Sequence, residues 1–237
     1  MFSTSVAEDF RAARRDQSLV VLEGFHAVKH AVRFGAELVR VVAREGADLD
    51  GLSAALAPDV VVAPEWVGRD VFERLVPVPP RTGVVALARR PVVEVPAVRW
   101  APAVLLEDPR DLGNLGACVR VAAAAGASAV LTTGVRDPWS PEALRGSAGL
   151  HFALPVARVD AVEGGPLLAL DPEGERVGAI PDDAILAFGT ERAGLSDALL
   201  ARADARIALP MEPGVSSLNL ATAVSAVLYP WRLARPD

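Results

Sequence analysis

Three short stretches in the second half of the chain combine residue types that could bind and position a reacting group. In the first, Asn114-Leu115-Gly116 is followed by Arg120, which stands among Cys118, Val119, Val121 and a run of alanines. An arginine in such apolar company needs a partner or an anionic ligand, or it emerges from the polar face of an otherwise buried helix. In the second, Gly189-Thr190-Glu191 and Gly194-Leu195 set one carboxylate between glycines, which permit positive φ and close backbone approach. A βα turn with an exposed glutamate is the plainer alternative. In the third, Leu209-Pro210-Met211 is followed by Pro213-Gly214 and then Ser217-Leu218-Asn219, so a bend leads into a helix start. Free N–H groups there are capped by Ser217 itself or bind an incoming group.

The elements around these stretches predict an α/β protein. Apolar runs at Leu19–Leu22, Leu38–Val42, Val60–Ala63 and Val84–Ala88 alternate with helical patterns near Phe25–Phe34, Leu49–Leu56 and Glu65–Leu75. Three prolines between Pro91 and Pro102, without a helical period, mark a linker. The expected division is therefore 1–96 and 97–237. Beyond it, strands are expected at Val104–Glu107, Ala129–Thr132, Leu167–Leu170, Ile185–Phe188 and Ile207–Leu209. Helices are expected at Asn114–Ala125, from Ser140 to about Arg145, from Ser196, and from Ser217 to Tyr229 with its end at Pro230. In a parallel sheet, ligands sit beyond the carboxyl ends of the strands, where all three stretches fall.

Composition excludes several classes. With 237 residues, one or two domains are expected. No apolar run reaches the roughly 18 to 20 residues of a membrane span, and the first residues lack an apolar signal core, so a cytoplasmic protein is the default. One cysteine, Cys118, and three histidines offer no metal-ligand cluster. The net charge of −6 argues against a nonspecific grip on a polyanion. Arg11, Arg14 and Arg15 still form a local basic cluster, either an RNA contact or an ordinary solvated face. The first stretch lacks G-x-G-x-x-G and the Gly-Lys-Ser/Thr of a P-loop, which disfavours a nucleotide-dependent enzyme.

Taken together, N-L-G-x-x-x-R at 114–120, G-T-E-x-x-G-L at 189–195 and L-P-M-x5-S-L-N at 209–219 resemble the three signature motifs of the SpoU/TrmH family. These are RNA ribose 2′-O-methyltransferases of the SPOUT superfamily. Arg145-Gly146-Ser147-Ala148-Gly149 with Leu154-Pro155-Val156 is similar to the segment between the first two motifs. Leu22-Glu23-Gly24-Phe25-His26 and Arg81-Thr82-Gly83-Val84 resemble the small substrate-binding domain that many members carry, related to a ribosomal-protein fold. The chain departs from the family where Glu212 and Pro213 displace Gly214 by one position after Met211.

The resemblance implies a C-terminal α/β sheet with a trefoil knot, preceded by a small α/β RNA-binding domain. It implies S-adenosylmethionine held largely by main-chain groups of Ala169, Leu170, Gly189, Glu191, Leu209, Met211 and Leu218. Arg120 would contact the RNA phosphate and the 2′-hydroxyl, as base or only as an orienting group. Because a guanidinium is normally fully protonated, the orienting role is the firmer expectation. Asn114, Glu191, Ser217 and Asn219 would complete the catalytic set. A homodimer, with Arg120 acting across the interface, is implied, and the two-domain layout resembles ribosomal RNA enzymes more than transfer RNA enzymes. A catalytically inactive RNA-binding relative is the alternative from a different class.

Overall fold

The computed structural model describes residues 3–95, 97–190 and 194–235. Two compact units are present. One comprises residues up to Val92 together with Trp139–Ala153, and the other comprises Val93–Pro138 together with the residues from Leu154 on.

The first unit is a four-stranded mixed sheet with helices. Its strands are β1 (Leu19–Glu23), β2 (Leu38–Arg44), β3 (Glu65–Val67) and β4 (Val84–Arg89), in the order β1-β4-β2-β3. Strand β4 runs antiparallel to both neighbours, and β2 pairs parallel with β3. Helix α1 (Ser3–Ala13) contributes Val6, Phe10 and Ala13 to a core shared with Val21, Val42, Val85 and Leu87. Helix α2 is Phe25–Arg33 and α3 is Leu49–Leu56, the latter capped by Asp48, which accepts from the Gly51 amide at 2.9 Å.

Two expectations fail here. Val60–Ala63 is not a strand; the strand is Glu65–Val67, past Pro64, whose missing N–H would leave a gap in a ladder. The helix expected over Glu65–Leu75 shrinks to α4 (Arg69–Phe72), because the residues before Gly68 are taken by β3.

The segment Trp139–Ala153 belongs to this first unit, so the chain leaves the second unit and returns to it. Its helix, α6 (Pro141–Gly146), starts as the sequence suggests, with Ser140 accepting from the Ala143 amide at 3.3 Å and proline at the first helical position. The segment is fixed by polar contacts to β1 and α2. Arg145 pairs with Glu23, which also meets Arg14 at 3.3 Å, and the Glu23 side chain is only 2% exposed. The His30 imidazole meets the Ala148 carbonyl through Nδ1 at 2.7 Å, and Gly149 lies so close to the Ala27 backbone that a Cβ would come within 2.5 Å.

The second unit is a six-stranded sheet in which every pair is parallel. Its members are β5 (Ala103–Leu106), β6 (Ala129–Thr132), β7 (Val156–Arg158), β8 (Leu167–Arg176), β9 (Ile185–Phe188) and β10 (Ala205–Ala208). The order is β10-β8-β9-β5-β6-β7, and strands β5, β6 and β9 are buried throughout, as expected for the middle of a parallel sheet. Helix α5 (Leu112–Ala125) ends at Gly126 in the left-handed conformation, and α7 (Asp197–Arg202) follows the second motif.

The last helix, α8 (Leu220–Leu233), corrects the expected span at both ends. Its cap is Asn219, not Ser217, and it continues through Pro230. Pro230 is exposed and forfeits one hydrogen bond, while the following turn is held by Trp231, whose indole N–H donates to Asp182 at 2.8 Å. Among the described residues no helix is long and apolar enough to cross a membrane.

Candidate active site

The middle of β8 and the ends of β9 and β10 enclose a cleft of about 140 Å³ that opens to solvent. Each of the three strands reaches it by a different local device.

Strand β8 supplies a wall by leaving its ladder. Leu168 and Ala169 pair with Ala205 and Arg206, yet the next partners of β10, Ile207 and Ala208, face Glu175 and Arg176. Residues 170–174 therefore stand out of the sheet, and Leu170, Asp171 and Pro172 line the cleft. Pro172 cannot donate to a ladder, and Gly174 allows the return: a Cβ there would lie 2.6 Å from backbone atoms of Arg206 and Ile207.

Strand β9 leads into Gly189 and Thr190. Thr190 and Gly194 exchange both backbone hydrogen bonds, at 3.1 and 3.0 Å, closing a tight loop. Gly189 is obligatory at its base, since a Cβ would lie 2.0 Å from the Gly194 carbonyl carbon. The far side of the loop is anchored by Glu107, which accepts from both the backbone N–H and the hydroxyl of Ser196 at 2.6 Å each. Glu191 lies outside the described residues.

Strand β10 gives way to Leu209 and Met211, and the chain then turns through Glu212-Pro213-Gly214-Val215, where the Val215 amide donates to the Glu212 carbonyl at 3.0 Å. Proline at the second position and Gly214 at φ +88° in the third meet the needs of a type II turn. The displaced glycine thus has a defined place. Ser216, Ser217 and Leu218 return along the cleft before α8 begins.

Of the residues singled out by sequence, the structure gathers Leu170, Gly189, Leu209, Met211, Ser217 and Leu218 around one cavity. Ala169 is buried in the sheet immediately before the wall. Asn114 and Asn219 lie outside the lining but are joined: the Asn219 amide N–H donates to Asn114 Oδ1 at 3.1 Å, while its oxygen accepts from Ala221 and Thr222. The first motif is thereby tied to the third.

Arg120 does not line the cleft of its own chain. It is exposed on the outer stripe of α5 and has no ion pair or hydrogen bond to any described residue, so the polar-face alternative describes its position. In the first unit Arg11 and Arg15 are exposed, whereas Arg14 is engaged by Glu23. Sequence reasoning missed Asp171, Pro172, Thr190 and Ser216. The Asp-Pro-Glu-Gly string was a readable turn signal, but it was overshadowed by the apolar run before it. Among the described residues no cluster of His, Cys, Asp and Glu could hold a metal ion.

Known proteins share both the sequence pattern and the fold. Residues 101–229 match the SpoU rRNA Methylase family. A 23S rRNA (uridine(2479)-2′-O)-methyltransferase of Streptomyces viridochromogenes is 29% identical over 83% of this chain and 70% of its own length. An uncharacterised tRNA/rRNA methyltransferase of Synechocystis is 32% identical over 84% of this chain and 69% of its own. Among solved structures, the SpoU methyltransferase AviRb of S. viridochromogenes in complex with AdoMet superposes with a TM-score of 0.78 at 24% identity, over 96% of this chain and 97% of that one. An RNA 2′-O ribose methyltransferase gives 0.77 at 27% identity, over 98% and 96%. This chain belongs to the SpoU rRNA Methylase family.

Proposed function

We propose that this chain transfers a methyl group from S-adenosylmethionine to a ribose 2′-hydroxyl of RNA, with ribosomal RNA as the substrate. The observation that carries the reading is the cleft where the second and third motif loops meet the β8 wall, its lining mostly apolar or glycine-rich. That lining fits S-adenosylmethionine: apolar residues such as Leu170, Phe188 and Leu220 suit an adenine and a thioether-like chain, and Thr190, Ser216 and Ser217 offer hydroxyls to its polar edges. When bound, S-adenosylmethionine supplies an electrophilic methyl group on a sulfonium.

The chain's own task is then alignment. Holding two reactants in line contributes roughly 7 to 11 kcal/mol in favourable cases. Arg120, exposed and without a partner among the described residues, binds the RNA phosphate and orients the 2′-hydroxyl. Asn219 and Asn114 hold the third and first motifs in register, and Ser217 and Glu191 complete the set around the hydroxyl. The exposure of Arg120 and its absence from the lining of its own cleft support a homodimer in which it serves the cleft of the second copy. The first unit carries the RNA, with the exposed Arg11 and Arg15 among its contacts. The threaded, knotted path of the C-terminal segment belongs to the same proposal.

The test is methyl transfer from labelled S-adenosylmethionine to 23S rRNA and, in parallel, to transfer RNA. Products are mapped by resistance to alkaline cleavage, which needs a free 2′-hydroxyl. Ribosomal RNA is expected to be labelled. Labelling of transfer RNA alone would move the substrate class, and methylation of a base rather than ribose would overturn the reading.

A further inference from the structure

We infer that Asp171 is the side chain that reads the ribose diol of the methyl donor, a role that rests on the S-adenosyl reading of the cleft. Asp171 is the single ionisable side chain among the described residues lining that cleft. It sits on the wall that β8 makes by leaving its ladder, so the bulge delivers a carboxylate to a cavity otherwise lined by apolar, glycine and hydroxyl-bearing residues.

The carboxylate is fixed from behind. Its Oδ1 accepts from the Glu173 amide at 3.0 Å and its Oδ2 lies 3.4 Å from Arg206 Nη1, while the side chain is 13% exposed. A carboxylate has about four acceptor sites, two on each oxygen. One donor on each oxygen leaves a second site on both.

Three groups of an S-adenosyl ligand could face that carboxylate: the α-ammonium, the sulfonium or the vicinal hydroxyls. Arg206 decides among them. A carboxylate that already offsets an arginine retains little net potential to attract another cation, but it loses none of its capacity to accept neutral O–H donors. Two open acceptor sites on adjacent oxygens match two adjacent hydroxyls. Carboxylates at strand ends read ribose hydroxyls in other nucleotide-binding sheets for the same reason. Arg206 is then a positioning residue that keeps Asp171 turned to the cleft.

The assignment is tested by calorimetry with S-adenosylhomocysteine and its 2′-deoxy and 3′-deoxy analogues on the chain and its Asp171→Ala and Asp171→Asn variants. Hydrogen bonds to a charged acceptor are worth roughly 10- to 100-fold in affinity. Loss of a hydroxyl should weaken binding by about that factor in the unsubstituted chain. It should have little further effect in Asp171→Ala, so the two losses do not add. The isosteric Asp171→Asn, which keeps one acceptor, should fall between and serves if Asp171→Ala does not fold. Normal binding with a deoxy penalty that survives Asp171→Ala overturns the assignment alone. So does a variant that loses S-adenosylmethionine but keeps S-adenosylhomocysteine, which would mark a charge contact to the sulfonium. Failure of the unsubstituted chain to bind either compound overturns the methyl-donor reading and this assignment with it.

Discussion

Asn219 performs two tasks at one helix start. Its side-chain oxygen caps the first amides of α8, and its N–H₂ reaches Asn114 on α5. Asn219→Ala should lower stability by about 1 kcal/mol, the usual cost of losing a cap, and should also lower methylation. Asn219→Ser separates the tasks, because serine caps well but is too short to reach Asn114. Melting should then return to near the unsubstituted value while methyl transfer stays low; recovery of both would show the Asn114 tie to be dispensable. His30 makes a prediction of a different kind. Burial, reinforced by Lys29 and Arg33, pushes its pKa below the ordinary histidine value, against the opposing pull of the Ala148 carbonyl. The folded chain then prefers the neutral ring, while the unfolded chain binds the proton near pH 6.5. The contribution is fully present above that pH and is lost as pH falls toward the depressed folded value. Melting curves between pH 7.5 and 5.5 should show this loss, and His30→Gln, which keeps a donor for the Ala148 carbonyl, should flatten it.

At the scale of elements, the bulge in β8 is the feature on which the cleft depends. Gly174 returns the chain to β10 with no room for a side chain, and the obstructing atoms are backbone. Gly174→Ala should therefore cost about 1 to 3 kcal/mol, as overpacking does, and weaken S-adenosylmethionine binding through the displaced wall. Gly178→Ala, where a Cβ meets nothing within 4 Å, is the control and should change neither. These elements also show which features the sequence made legible. The buried central strands were readable because parallel strands are continuous apolar runs, and the α6 start because Ser140-Pro141 is a local signal. The wall at 170–174 was not, since its conformation comes from pairing with β10, some 35 residues distant. Likewise Ser217 was the expected cap of α8, and the identity of the true cap was decided by a partner on another helix, Asn114. The departure at Gly214 was legible in part: the Pro-Gly pair announced a turn, and the structure supplies its hydrogen bond.

At the scale of the molecule, the proposed role of Arg120 bears on assembly. The residue lies outside the lining of its own cleft and is exposed, which leaves it available to the site of another copy in the homodimer proposed above. A two-fold dimer satisfies this reciprocally, because an isologous interface gives each copy the same contact. Two inactive variants should then rescue each other. Arg120→Ala spoils the arginine but leaves the cleft intact, and Gly189→Val fills the base of the second motif loop but leaves the arginine intact. Each alone should methylate nothing, and Arg120→Ala should still bind S-adenosylmethionine. After unfolding and refolding an equal mixture, half of the dimers are mixed, and each mixed dimer holds one cleft and one arginine in working combination. Activity should recover to about a quarter of the unsubstituted value. No recovery in mixtures shown by mass to contain mixed dimers would place arginine and cleft in the same chain. A monomer by static light scattering at working concentration, with full activity, would do so as well.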